Sequence, residues 1–149
     1  MRLEEICRQL AQTGHYSAQV DDDILRIQSS DIGSEYIMEA FEQSAQIRQA
    51  VWFDCDKLSV DDLNRIYVLC SMMNERFGGC KCFIDQWGVL ITGADLISND
   101  IVVELIETTL RQVEFISQAM LDLVETLCAE GRLVTQHEID TVLAVPSLQ

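Results

Sequence analysis

The most constraining feature of this sequence is a mostly apolar stripe that recurs at intervals of four and three residues between positions 102 and 127. Its members are Val102, Ile106, Thr109, Val113, Ile116, Met120, Leu123 and Leu127. This spacing predicts one long helix, from about Ser98 to about Glu130. The flanking positions hold Val103, Leu110, Ser117 and Val124 on one side and Leu105, Gln112, Ala119 and Thr126 on the other. A coiled coil usually carries charges there, so we predict instead a helix whose wide apolar face lies across a sheet.

The first half of the chain predicts a helix followed by four strands. Apolar residues at helical spacing run through residues 2–13, and Gly14 ends that helix. Alternating residues then predict two strands on either side of an aspartate turn at 21–23. Residues 35–56 fit either a helix or a strand pair. We interpret them as a hairpin that turns near residues 43–46, with residues 47–54 as its second strand.

A second helix and a second hairpin follow. Ser59 predicts the start of a helix that Gly78 and Gly79 stop. Cys80, Cys82 and Ile84 then alternate with Lys81, Phe83 and Asp85, the stretch Asp85-Gln86-Trp87-Gly88 fits a turn, and residues 89–94 form the return strand. The predicted fold is α+β, with helices packed on an antiparallel sheet in the order α-β-β-β-β-α-β-β-α. Residues 1–131 form a single domain, and residues 132–149 form a C-terminal tail that holds one short helix.

The net charge of the chain limits the classes of partner that it can bind. The chain of 149 residues carries 25 acidic and 10 basic side chains, which gives a formal net charge of -15. Such a surface repels phosphate backbones and anionic lipid. We therefore predict no nucleic-acid partner and no membrane partner. A protein partner fits this surface better.

The N-terminus and the cysteines predict the compartment. The opening residues MRLEEICRQLAQTG contain acids, unlike the apolar core of a signal peptide. No apolar run approaches the roughly 20 residues that span a bilayer. The six cysteines are then expected to stay as free thiols in a reducing compartment. We predict a cytoplasmic protein.

The stretches VDDLNRIYVLCSMMNERFGGCKCFIDQWGVLITGADL and SNDIVVELIETTLRQVEFISQAMLDLVETL carry a resemblance to a known family. They resemble the second half of the YbjN family, small acidic bacterial proteins described as sensory-transduction regulators. The likeness rests on Leu63-Asn64, Asn74-Glu75-Arg76-Phe77-Gly78, Phe83-Ile84-Asp85, Val89-Leu90-Ile91 and Ala94-Asp95-Leu96. It implies the fold of class I type III secretion chaperones, and it supplies no catalytic residue. Here the turn holds Gln86-Trp87, where family members more often have acidic or polar residues.

The sequence patterns that could indicate a metal, redox or catalytic site are weak. Cys80 and Cys82, with Cys55, could hold zinc or act in redox sensing, but CxC along a strand is a poor chelate. We interpret these cysteines as small buried hydrophobes. The aspartates at 54–62 do not match a calcium loop, because Leu58 occupies the fifth position, which needs an oxygen ligand, and Ser59 occupies the sixth, which needs glycine. The histidines are His15 and His137, and no catalytic motif accompanies them. We predict no enzyme, no metal and no cofactor.

The candidate site is a protein-binding surface. Exposed aromatic and methionine side chains rimmed by acids would bind an extended or helical protein segment. The candidates are Trp87, Trp52, Tyr36, Met38, Tyr67 and Met72. Phe41 and Phe53 belong to the same aromatic-rich first sheet hairpin. Lining the core is the alternative for each of them, and Trp87 has the best claim to exposure because it lies in a turn.

Two functions fit these features. The first is a non-enzymatic cytoplasmic regulatory protein of the YbjN type that acts through protein–protein contact. The alternative is a type III secretion chaperone that binds the N-terminal segment of a secreted effector as a homodimer. A homodimer would need an apolar outward face on the helix from Val60 to Phe77. Asp61, Asp62, Asn64 and Arg65 argue against such a face, whereas Tyr67 and Met72 favour it.

Overall fold

The computed structural model describes residues 2–97 and 101–144. Four α-helices and six strands make up this described part of the chain. In order they are α1 (Leu3–Gln12), β1 (Tyr16–Asp21), β2 (Ile24–Ser29), β3 (Glu35–Ala40), β4 (Ser44–Trp52), α2 (Val60–Arg76), β5 (Cys80–Ile84), β6 (Leu90–Ile97), α3 (Val103–Glu130) and α4 (Gln136–Leu143). A short 3-10 turn, Cys55–Lys57, lies between β4 and α2. The predicted α+β fold and its order of elements are confirmed.

The strands form a six-stranded antiparallel sheet in the order β1-β2-β3-β4-β6-β5. Its two edges are therefore β1 and β5. Leu25 pairs with Met38, and Met38 pairs with Ile47, so these inward-facing residues stand side by side across three strands. Asp22 has a φ of 55°, a left-handed conformation that aspartate tolerates and that closes the turn between β1 and β2.

The chain divides into two compact units, of which the first comprises Met1–Gln49 with Gly93–Glu114. Its core combines alternate residues of the sheet with one face of each helix. The buried residues include Leu10, Leu25, Ile27, Met38, Ile47, Ile106 and Leu110. The Cys7 thiol donates to the carbonyl of Ala18 at 3.2 Å, which attaches α1 to β1.

The second unit comprises Ala50–Thr92 with Phe115–Gln149. Its core draws on α2, the second hairpin, α3 and the predicted tail, and it includes Ile66, Leu69, Met73, Leu90, Met120, Leu123, Leu127 and Ile139. Ser59 begins α2 as predicted, because its hydroxyl accepts the N–H of Asp62 at 3.1 Å. Since Ile139 is fully buried, the tail helix α4 contributes to the core of this unit.

Three predicted boundaries are wrong. The long helix begins at Val103, so Val102 lies outside it and is exposed, and residues 98–100 fall outside the described part of the chain. β4 begins at Ser44, because Phe41 donates its N–H to the carbonyl of Ser44 and closes the turn earlier. β6 continues to Ile97, past the predicted residue 94. The buried stripe of the long helix is confirmed from Ile106 to Leu127.

The start of α4 makes a pH-dependent contribution to stability. The Glu138 carboxylate accepts two bonds from Arg132, at 2.8 and 2.9 Å, and the N–H of Thr135 at 2.8 Å. The Arg132 bonds, and then the Thr135 N–H, lower the pKa of Glu138 from 4.5 to about 2. A lowered pKa means that the contribution is complete above pH 4.5 and is lost as the pH falls through about 2.

We therefore expect Glu138→Gln to destabilise the protein near pH 6 and to lose this effect as the pH approaches 2. Urea unfolding of both proteins across this range measures the difference. Glu125→Gln, at an exposed position on α3, is the charge-matched control. If Glu138→Gln destabilised the protein equally near pH 6 and near pH 2, the ionised Glu138 carboxylate would not be the source of this stability.

Candidate protein-binding surfaces

Two of the six candidate residues, Tyr36 and Met38, are core residues, which corrects the prediction that they contact a partner. Tyr36 is 3% exposed and Met38 is 0% exposed. The Tyr36 hydroxyl donates to Glu114 Oε1 at 3.0 Å. Burial raises the pKa of Tyr36 far above its usual range, and the Glu114 carboxylate raises it further. Both side chains point inward because the opposite face of β3 carries Glu35 and Glu39.

The other four candidates lie in the second unit with different exposures. Trp87 is 75% exposed and Tyr67 is 51% exposed. Trp52, on β4, and Met72, on α2, are half-buried. These four residues remain candidates for contact with a partner.

The outward side of α2 is less charged than the sequence suggested. Val60, Asn64, Tyr67, Val68 and Ser71 follow helical spacing and are all exposed; we call this set the α2 face. Asp62 and Arg65, expected to charge that side, are half-buried and bond to each other at 2.7 Å. Their pairing at a spacing of three residues keeps them beside the α2 face, which corrects the expectation for these two residues. Asp61 and Asn64 are exposed, as expected.

A cavity of about 480 Å³ lies between α2 and β5. Its lining includes Tyr67, Ser71 and Glu75 from the helix and Lys81 and Phe83 from the strand, and we call it the α2–β5 groove. Both aromatic side chains are exposed. The groove therefore continues the α2 face towards the edge of the sheet.

Asn74 fixes the helix to this edge strand. Its Oδ1 accepts the N–H of Cys82 at 2.6 Å, and its Nδ2 donates to the carbonyl of Cys82 at 3.0 Å. The side-chain amide thus makes the pair of bonds that a neighbouring strand would make. At Cys82, β5 therefore has no free backbone N–H or carbonyl with which to pair with a strand of another chain.

The cysteines of the second hairpin face inward, as predicted. Cys80 and Cys82 are buried, whereas Lys81 and Phe83 between and after them are exposed. Within residues 2–97 and 101–144, no three His, Cys, Asp or Glu side chains are grouped so that they could hold a metal ion. The same part of the chain contains no helix that is long and apolar enough to cross a membrane.

Burial makes the thiols of the buried cysteines on α2 and β5 poor nucleophiles. It raises the pKa of Cys70 to about 12 and that of Cys82 to about 11. Because the thiolate is the reactive form, we expect Cys55, Cys70, Cys80 and Cys82 to resist a thiol reagent in the native protein at pH 8 and to react on unfolding. Cys7 and Cys128, which are half-buried, should react first. Peptide mass mapping after timed labelling measures this order, and labelling of Cys80 and Cys82 at the rate of Cys7 would contradict it.

Sequence reasoning missed three exposed apolar residues: Val60, Val68 and, as a binding candidate, Phe83. Signals for them were present. Phe83 alternates with the inward cysteines, and Val60 and Val68 lie opposite the buried stripe of α2. Phe53 was predicted within the second strand of the first hairpin, but it lies just after β4 and is exposed.

No protein-family model matches this sequence, and no curated protein matches it either. Solved structures do share its fold. A chain of the ExsC–ExsE complex matches with a TM-score of 0.63 at 12% identity, over 82% of this chain and 92% of that one. A chain of the heterodimeric ExoU–SpcU complex, from the type III secretion system of Pseudomonas aeruginosa, matches with a TM-score of 0.58 at 18% identity, over 78% and 95%.

The third structure is that of YbjN from E. coli, described as a proposed transcription regulator. It matches with a TM-score of 0.60 at 15% identity, over 91% of this chain and 97% of that one. The fold is that of YbjN and of type III secretion chaperones, which confirms the resemblance at the level of structure. At these identities the comparisons establish the fold alone.

Proposed function

We propose that this protein is non-enzymatic and acts in the cytoplasm by binding another protein through the α2 face and the α2–β5 groove. The α2 face carries this proposal. Its apolar members Val60, Tyr67 and Val68 are exposed on a chain of net charge -15, and Asp61 is the one exposed charged residue between Val60 and Val68. A solvent-exposed helix normally carries charges on such a side, and contiguous exposed apolar surface is typical of interaction sites.

The comparisons support a protein partner. ExsC–ExsE and ExoU–SpcU are both protein–protein complexes, and each contains a chain that shares this fold. The positions of the histidines agree with a non-enzymatic role, since His15 and His137 are exposed and neither lines the groove. The net charge of -15 opposes direct contact with nucleic acid or an anionic membrane.

A regulatory protein of the YbjN type is the first choice, and a type III secretion chaperone that works as a homodimer is the second. The half-buried pairing of Asp62 with Arg65 leaves fewer charges on the outward side of α2 than the sequence suggested, which favours the second choice, because two such faces could pack against each other. If they do, Tyr67→Asp should convert a dimer into a monomer, since dimerisation would bury the new carboxylates without partners. Light scattering measures the mass. Ile32→Asp, at an exposed apolar position in the first unit, is the matched control.

Affinity capture from native lysate tests the function itself. The wild-type protein, Tyr67→Asp, Phe83→Asp and Ile32→Asp serve as baits, and retained proteins are identified by mass spectrometry. We expect a partner that wild type and Ile32→Asp retain and that the other two variants lose. A secreted protein held through its N-terminal segment would favour the chaperone, and a regulatory protein would favour the YbjN type. Equal retention by all four baits would refute binding through these surfaces.

A further inference from the structure

Two exposed aromatic side chains lie on adjoining loops of the second unit, and neither belongs to the groove lining. Trp87 occupies the β5–β6 turn, and Phe53, which is 64% exposed, follows β4. The two loops are joined because Cys55 donates its N–H to the carbonyl of Gly88 at 2.9 Å. The Asp56 side chain also lies against Gly88, since a Cβ there would stand 3.4 Å from Asp56 Oδ1. We call Phe53, Trp87, Asp54 and Asp56 the loop patch.

The backbone on both sides of the loop patch is held in place. Asp85 Oδ1 accepts the N–H groups of Trp87 and Val89 at 2.9 and 3.0 Å, and Gly88 supplies the positive φ of +76° that completes the turn. In the other loop, Cys55 is fully buried next to Asp54, whose φ is 60°. Aromatic side chains presented from ordered loops lose little conformational freedom on binding, which makes them effective anchors.

The charges around the loop patch define what it could bind. Lys57 is the cation of this segment, and it pairs with Asp54 at 3.6 Å. Within the described residues, Asp56 has no ion-pair partner, and neither has Asp61, five residues further along the chain. An indole face attracts guanidinium and ammonium groups, and adjacent carboxylates add to that attraction.

We propose that the loop patch binds a basic segment of a partner protein, with an arginine or lysine side chain stacked on Trp87 and facing the carboxylate of Asp56. Apolar residues of the same segment would contact Phe53. This inference rests on the proposed function, because the segment belongs to the protein partner. It adds a second contact, with its own chemistry, to the α2 face.

A labelled peptide tests the loop patch directly. The probe is a short acetylated and amidated peptide that alternates arginine with leucine, and its control alternates glutamate with leucine. Fluorescence anisotropy of the labelled peptides gives Kd. Trp87→Ala should weaken binding of the basic peptide at least about tenfold, and Phe53→Ala about twofold to thirtyfold. Neither substitution changes the net charge, so non-specific attraction to an acidic protein cannot produce the loss.

Matched variants complete the design. Asp56→Asn should weaken binding and reduce its dependence on salt, whereas Asp122→Asn, an exposed position on α3, should do neither. Leu133→Ala, an exposed apolar position in the same unit, should bind as wild type does. Wild-type affinity in Trp87→Ala, or equal affinity for the acidic peptide, would overturn the proposal.

The two proposals fail differently. A native partner that is lost from Tyr67→Asp but fully retained by Trp87→Ala would refute the loop patch and leave the proposed function standing. Peptide binding that depends on Trp87, together with capture that no α2 variant alters, would refute the α2 face and support the loop patch.

Discussion

Replacing Met38 with alanine should lower the free energy of unfolding by about 2–5 kcal/mol. Met38 is 0% exposed and is flanked in register by Leu25 and Ile47, so truncation leaves a cavity that packed strands cannot close. Stabilities of single domains are commonly about 5–15 kcal/mol, so this loss should shift the urea midpoint strongly. Equilibrium unfolding in urea, followed by circular dichroism, measures it.

The neighbouring Ile37 provides the control, because it lies on the opposite face of β3 and is half-buried. Ile37→Ala should lower the free energy of unfolding clearly less than Met38→Ala does. At low temperature and without urea, Met38→Ala should still capture whatever partner the wild type captures. A variant of wild-type stability that loses the partner would instead restore Met38 to the binding surface.

Periodic patterns predicted the elements of this fold well, because burial repeats with the geometry of each element. The stripe of the long helix was readable from Ile106 to Leu127, since a helix that crosses a core must bury residues at that spacing. The inward cysteines of β5 followed in the same way from strand alternation. The start of the long helix was not readable, because Val102 continues the stripe although the helix begins one residue later.

The orientation of β3 shows a signal that was present and not used. Glu35 and Glu39 alternate with Tyr36 and Met38, and this alternation places the acids outside and the larger side chains inside. The binding surface was harder to predict. The outward side of α2 became clear only when Asp62 and Arg65 were seen to bond to each other beside it. The loop patch depends on a backbone bond between Cys55 and Gly88, which no local pattern encodes.

Asn74→Ala should lower the free energy of unfolding by about 2–4 kcal/mol, because it leaves the N–H and the carbonyl of the buried Cys82 without their partner. Cys82 is 3% exposed, so water cannot readily replace the lost bonds at that position. Urea unfolding measures the loss. Asn64→Ala, an exposed asparagine on the same helix, should stay within about 0.5 kcal/mol of wild type.

The same substitution should also change how the protein associates. With Asn74 removed, β5 has unpaired backbone groups at Cys82 and α2 is held less firmly against them. When the helix moves away, these groups form an open edge, which is a template for a strand from another molecule. We expect the light-scattering mass of Asn74→Ala to rise with concentration, while that of Asn64→Ala follows the wild type. If Asn74→Ala matched Asn64→Ala in both stability and mass, the side-chain amide would not be what closes this edge. If the variant associates, Asn74 keeps β5 from pairing, and partners are left to bind through the side chains of the α2 face and the groove.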